Sequence, residues 1–241
     1  MSDNSKRANP EEIDLSLLAN FTHQVINPLN GIAGTLDNLV DGTISEQRKP
    51  QRTKSSRAQL ESVITTVRNL AYLSSPNFNL EKPGRRVALP EVIIEAAMFY
   101  QEHGASKGIT IDLLNQGDQN LAPGHPEAIR QVLMNLFDNA VKYSRVGSQV
   151  VVKQWIQKTS RDAMITVRSV PENNMTEIDF EKMFEIGFRG KNALDIIASG
   201  TGLGLYICKH LMKTRLDGSI SVGKDKDGIV FELRIPNGEA L

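Results

Sequence analysis

Cys208 is the only cysteine in the 241-residue chain, which excludes a disulfide framework and a cysteine-rich metal site. A reducing compartment is the simplest reading of that scarcity. Lys plus Arg and Asp plus Glu number 28 each, so there is no net charge of either sign to recruit a polyanion. Nucleic acid is therefore not expected as a partner. No run approaches the roughly 18 apolar residues of a membrane span. The polar start Met1-Ser-Asp-Asn-Ser-Lys-Arg lacks the apolar core of a signal peptide. We therefore expect a cytoplasmic protein with no membrane segment in this chain. Aromatics make up 5%, hydrophobic residues 40% and charged residues 23%, an ordinary globular composition for one or two domains. There is no internal repeat and no low-complexity tract.

Against this background, residues 130–143 stand out: Arg-Gln-Val-Leu-Met-Asn-Leu-Phe-Asp-Asn-Ala-Val-Lys-Tyr. Leu133, Leu136, Phe137, Ala140 and Val141 recur at helical spacing and form one apolar stripe. Asn135 and Asn139 lie four apart, so their amides project from one face, one turn apart. Asn competes with the helix backbone for hydrogen bonds, so two in phase on a good helix point to a ligand. Lys142 lies just beyond, where a cation can meet phosphate oxygens, and Tyr143 follows it. An Asn carbonyl is a hard oxygen ligand suited to Mg²⁺ that keeps most of its waters. On this stretch alone, a ligand site and a partly polar helix face are equally good readings.

A second segment shifts the balance. Gly200-Thr201-Gly202-Leu203-Gly204 runs into a helical pattern. Glycines let a backbone approach a ligand closely, and the N–H groups that open a helix favour anions. The spacing fits neither a dinucleotide-binding fingerprint nor a P-loop.

Together these segments resemble the N box and G2 box of the GHKL ATPases, specifically the sensor histidine kinases. Met183-Phe184-Glu185-Ile186-Gly187-Phe188-Arg189 is similar to that family's F box. Upstream, Phe21-Thr22-His23-Gln24-Val25-Ile26-Asn27-Pro28-Leu29 resembles the H box. The order and spacing of the four boxes fit, over about residues 11 to 237.

The resemblance implies an α+β chain. An N-terminal antiparallel helical hairpin, a four-helix bundle as a dimer, precedes a GHKL-type α/β sandwich that binds ATP. The expected division is a polar tail (1–10), the hairpin for dimerisation and phosphotransfer (11–76), a linker (77–87) and the ATP-binding domain (88–241). The residues themselves support the hairpin. Leu15, Leu18, Thr22, Val25, Leu29, Ile32, Leu36 and Leu39 step by threes and fours, a heptad seam. Pro28 should kink that helix, and Asp41-Gly42 should end it. A polar loop (43–52) containing Pro50 is expected next, then a helix over 53–74 with Leu60, Ile64, Val67 and Ala71 on one face. Two such helices cannot bury their seams alone, so a homodimer is expected.

In a family member, the neutral ring of His23 attacks the γ-phosphate of ATP, and the phosphoryl group passes to an aspartate of a response-regulator receiver domain. His23 is one position off the seam, so it should be accessible. The resemblance also assigns nucleotide-binding roles to Asn135, Asn139, Lys142, Tyr143, Ser169, Arg189, Gly200, Thr201, Gly202, Leu203 and Gly204, and Mg²⁺ binding to Asn139. Asn27 takes the position that holds the water for phospho-aspartate hydrolysis.

Two departures matter. Gln24 stands where the family has a carboxylate that orients the histidine and takes its proton. An amide can accept a hydrogen bond but cannot act as a base, and losing a general base costs roughly 10²–10⁴ in rate. The family's Asp-x-Gly-x-Gly box aligns with Ser169-Val-Pro-Glu-Asn173. Its aspartate falls on Ser169, or on Val170 in the neighbouring register. A hydrogen bond to a charged group contributes ~1.5–3 kcal/mol, so ATP binding is expected to be weak. The competing expectations are a slow kinase, a pseudokinase scaffold, and a regulator phosphatase or phosphotransferase with little ATP chemistry. The histidine context leaves no other phosphate carrier. The signal is expected to arrive through a partner sensor or through a sensor domain of which this chain is a fragment.

Overall fold

The computed structural model describes residues 15–74, 86–191, 193 and 202–237. The chain divides between Ala71 and Tyr72 into two compact units.

The first unit is helical. Helix α1 spans Leu15–Val40 with Pro28 inside it, and α2 spans Lys49–Ser74. The chain leaves α1 through a Schellman turn. Thr43 N–H donates to the Asn38 carbonyl at 3.0 Å and Gly42 N–H to Leu39 at 3.4 Å. Gly42 has φ +68°, which an L side chain would resist. Helix α2 begins four residues earlier than the pattern predicts. Pro50 sits in its first turn, where a missing N–H costs nothing, so the proline opens the helix instead of delaying it. Lys49 pairs with Glu46 just before it. The helices fold back on each other: a Cβ built on Gly31 would lie 3.3 Å from Gln59 Oε1.

The second unit is an α+β sandwich. Its elements are β1 (Arg86–Ala88), α3 (Leu89–Ala105), β2 (Thr110–Leu113), β3 (Leu121–Pro123), α4 (Pro126–Tyr143), β4 (Gln149–Ile156), β5 (Ala163–Ser169), α5 (Glu177–Lys182), α6 (Gly204–Arg215), β6 (Ser219–Asp225) and β7 (Gly228–Ile235). The main sheet has the order β2-β4-β5-β7-β6. Strands β2 and β4 are parallel and the other pairs antiparallel, so the sheet is mixed. Strands β1 and β3 form a separate antiparallel pair. Arg86 and Val87, which the sequence assigns to the linker, thus join β1. Val87 is 3% exposed there.

Helices α3, α4 and α6 pack side by side as the helical layer. The core lies between that layer and the sheet. Ile93, Val132, Leu133, Phe137, Ile165, Ile207 and Leu211 are all almost completely buried. Residues 75–85, which include most of the expected linker, Gly200, Thr201, most of the segment between Lys191 and Gly202, and both chain ends lie outside the described residues.

Candidate nucleotide site

The site is built on α4. Pro126 presets its first turn, behind His125 at the cap. The stripe of Leu133, Leu136, Phe137, Ala140 and Val141 is buried as the pattern predicts. That burial turns the Asn-bearing face toward α6.

The two asparagines do different work. Asn135 is 3% exposed and both ends of its amide are used within the protein. Gln131 Nε2 donates to Asn135 Oδ1 at 3.2 Å, and Asn135 Nδ2 donates to the Gly204 carbonyl at 3.2 Å. Asn135 therefore ties α4 to the first residue of α6. Asn139, one turn on, is only half-buried. Its amide carries no side-chain hydrogen bond to the described residues, which leaves its oxygen for a ligand. Lys142 Nζ pairs with Asp138 Oδ2 at 2.5 Å while about a third of the lysine side chain stays exposed.

The last four carbonyls of α4 have no partner within the helix and must find one elsewhere. All four do. Ser144 N–H takes Ala140 at 3.0 Å, and Glu172 N–H takes Tyr143 at 2.8 Å. Lys107 Nζ, from the turn after α3, takes both Val141 and Lys142 at 2.9 Å. Burial lowers the Lys107 pKa below its usual value; the nearby charge of Glu172 opposes that shift and that of Lys142 adds to it. Sequence reasoning missed Lys107, because a lone lysine in a polar turn carries no pattern.

The segment that the sequence reading aligns with the Asp-x-Gly-x-Gly box runs along this same helix end. Ser169 closes β5 and is buried. Arg145 N–H donates to the Val170 carbonyl at 2.9 Å, and Pro171 bridges to Ser144. Among the sequence-predicted residues, Asn139, Lys142, Tyr143 and Ser169 thus belong to one neighbourhood.

The glycine segment forms the other wall. Gly202 has φ +65°, and a Cβ built there would lie 2.6 Å from the Gly187 carbonyl carbon and oxygen. The F-box and G2-box backbones touch at this point, and only glycine fits. Leu203 is fully buried behind it and Gly204 opens α6. The N–H groups that open a helix favour an anion. The F box is fixed by aromatic contacts: Phe184 meets Phe231 edge-on at 6.4 Å, and Lys209 of α6 lies over the Phe184 ring at 5.9 Å. Just before it, Thr176 and Asp179 form a reciprocal capping box on α5. Arg189 follows, half-buried. Cys208 sits within the α4–α6 seam, fully buried, its thiol pushed up to about 12 by desolvation. It is structural.

In the helical unit, His23 and Asn27 are both exposed on α1, four residues apart and so on one face. Gln24 is half-buried between them.

Residues 124–239 match the family described as histidine kinase-, DNA gyrase B- and HSP90-like ATPase. This segment is a GHKL-type domain, a fold that binds ATP. The sensor protein KdpD of Clostridium acetobutylicum is 24% identical over 233 residues, which are 94% of this chain and 25% of that protein. The histidine protein kinase SaeS of Staphylococcus epidermidis is 24% identical over 220 residues, 91% of this chain and 62% of that one. Among solved structures, the histidine kinase ThkA in complex with response regulator protein TrrA shares the fold at TM-score 0.64 and 19% identity, over 92% of this chain and 61% of that one. The family match, the relatives and the shared fold together support a sensor histidine kinase catalytic core, a helical segment followed by a GHKL domain. It spans a quarter to about three-fifths of the length of these two relatives. No described helix is long and apolar enough to cross a membrane.

Proposed function

We propose that this chain acts in two-component signalling: it moves the γ-phosphoryl group of ATP to His23 and from there to an aspartate of a response-regulator receiver domain. The observation that carries this reading is the pairing of an ATPase-family domain, with Asn139 open on its N-box helix, with a helical segment that exposes a histidine in an H-box context. The kinase names of the relatives and the ThkA–TrrA complex support the partner class.

The residues present fit a nucleotide with Mg²⁺. Asn139 offers one hard oxygen and has no competing partner among the described residues. Those residues hold no cluster of three or more His, Cys, Asp or Glu. An ion here would therefore be held by Asn139, water and the phosphates. Lys142, Arg189 and the start of α6 supply positive potential for the phosphates. Tyr143 and Ser169 border the base. Catalysis in such a site is mainly positioning plus charge stabilisation. Gln24 can orient the His23 ring by accepting a hydrogen bond, but it removes no proton. Ser169 offers no charge to the base. Both features point to slow autophosphorylation. In the hairpin unit Leu60, Ile64 and Val67 are 44–48% exposed on one face of α2, which fits a second copy closing the bundle. An upstream sensor protein or domain would supply the input.

Incubation with labelled ATP and Mg²⁺ tests the reading. Slow, acid-labile incorporation is expected, lost in His23→Ala and faster in Gln24→Glu. Ser169→Asp should tighten nucleotide binding. A second reading, a dimeric scaffold or regulator phosphatase without autokinase activity, draws on the same two substitutions. It prevails if Gln24→Glu combined with Ser169→Asp still takes no label while a regulator binds.

A further inference from the structure

Three residues of the nucleotide reading, Asn139, Lys142 and Tyr143, fall within the last five residues of α4, at the end where the final four carbonyls have no partners within the helix. How that end is held decides where these groups stand. Asn135 is anchored one turn earlier by Gly204 and cannot restrain them.

Lys107 occupies the two middle carbonyls with one ammonium, at 2.9 Å each. Its own position is set by backbone alone. Lys107 N–H and Ile109 N–H both donate to the Gly104 carbonyl at 2.9 Å, and Gly147 N–H donates to the Lys107 carbonyl at 2.9 Å. A Cβ on Gly104 would lie 2.6 Å from the Ile109 carbonyl oxygen, so this tight turn requires glycine there. Gly108 and Gly147 both have positive φ and approach each other, which stitches the turn to the loop after α4.

The charges around Lys107 have a consequence. Glu172 of the loop after β5 attracts it and Lys142 of α4 repels it. A lysine near a helix end usually turns back onto the last carbonyls. Here those carbonyls are taken, and Lys142 pairs with Asp138 instead. The same Glu172 caps Tyr143 through its backbone N–H. Lys107 therefore connects the end of α4, the loop that stands in for the Asp-x-Gly-x-Gly box, and the turn after α3.

We infer that Lys107 is a positioning residue of the nucleotide site: its ammonium holds the last turn of α4 so that Asn139, Lys142 and Tyr143 meet one nucleotide together. The inference rests on the nucleotide reading of α4.

Calorimetric titration of the full chain with ATP and Mg²⁺ tests it, alongside thermal melting. Lys107→Met should weaken binding roughly tenfold, the effect of about 1.4 kcal/mol. Lys107→Arg should stay within about threefold of wild type, because a guanidinium can also donate to two carbonyls. A purely structural lysine would not couple to the ligand contact of Lys142. Lys107→Met in a Lys142→Ala background should therefore cost clearly less than the roughly tenfold seen alone, the remainder being the share carried by Asn139 and Tyr143. Binding by Lys107→Met equal to wild type, or losses that multiply in the double variant, overturns the proposal while leaving the nucleotide reading intact. If Lys107→Met fails to fold, Lys107→Gln carries the same comparison, and wild-type affinity there overturns the proposal equally. A wild-type chain that takes up no ATP with Mg²⁺ overturns the nucleotide reading, and this inference with it.

Discussion

Asn135 Nδ2 donates to the carbonyl of Gly204 at 3.2 Å, joining two helices whose contact residues are 69 apart in the chain. The bond lies next to buried Cys208, and Gln131 holds the other end of the amide. Asn139, one turn away, carries no such bond, so on the proposed reading the two asparagines separate stability from ligand binding. Asn135→Ala should destabilise the GHKL domain by about 1–3 kcal/mol, because it leaves buried polar groups unmatched. Asn139→Ala should change stability by no more than about 0.5 kcal/mol, since no side-chain hydrogen bond is lost, yet remove the Mg²⁺ dependence of ATP binding. Melting curves and titrations of both variants check the split. A large melting loss in Asn139→Ala would place it in the fold instead.

Gly202 carries a different constraint. Its φ is +65° and an added Cβ would meet the Gly187 carbonyl at 2.6 Å. A left-handed conformation costs an L residue roughly 1–2 kcal/mol, before any clash. Gly202→Ala should therefore lower stability by more than that and displace the start of α6 from Asn135. Gly223→Ala is the control, because a Cβ there meets nothing within 4 Å. Chemical denaturation of the pair is the measurement. Equal midpoints would show that the F-box and G2-box backbones can separate freely.

Much of this arrangement was legible in the chain. The α4 stripe announced its own burial. The family boxes directed attention to Asn139, Lys142 and the glycine segment. Three things were not legible. Strands β1 and β3 have three residues each, too short for alternation to register. Pro50 looked like a loop residue, because a proline that opens a helix and one that precedes a helix read alike in sequence. The partners of Asn135 and of the α4 carbonyls are long-range: Gly204 is 69 residues away and Lys107 is 34 residues from Val141. Periodicity cannot see contacts of that kind.

Asp162 gives a pH test of the sheet. Its carboxylate is buried, which alone would raise its pKa. Hydrogen bonds from Arg234 and Ser160, the charge of Arg234 and the backbone N–H of Asn237 together bring the pKa below the usual value. Arg234 Nε lies 2.6 Å from Asp162 Oδ2. A carboxylate whose folded pKa is depressed stabilises the fold above its unfolded pKa, and that contribution fades as pH falls through the folded value. Asp162→Asn should therefore melt lower than wild type at pH 7, with the gap closing in acid below the ordinary carboxylate range. A gap that stays constant with pH would mean that the ionised form of Asp162 contributes nothing.

The helical unit carries the last prediction. Leu60, Ile64 and Val67 recur at i, i+4 and i+7 along α2 and remain 44–48% exposed, while Val63 on the neighbouring face is 6% exposed. On α1, Leu29 and Leu36 are 41% and 54% exposed. An apolar stripe left open on each of two helices is the surface that a second hairpin would cover to complete a four-helix bundle. Burying an aliphatic side chain contributes about 1.5–3 kcal/mol, and a glutamate in its place would need desolvation without a partner. Wild-type chain at micromolar concentration should sediment as a dimer. Ile64→Glu should shift it to monomer, weakening association by at least roughly a hundredfold, about 2.7 kcal/mol. Its GHKL domain should melt as before, because Ile64 belongs to the other compact unit. Lys153→Glu, on an exposed position of β4, is the charge control and should remain dimeric. A wild-type monomer, or dimers that survive both Ile64→Glu and Leu60→Glu, would place the dimer contact elsewhere or remove it.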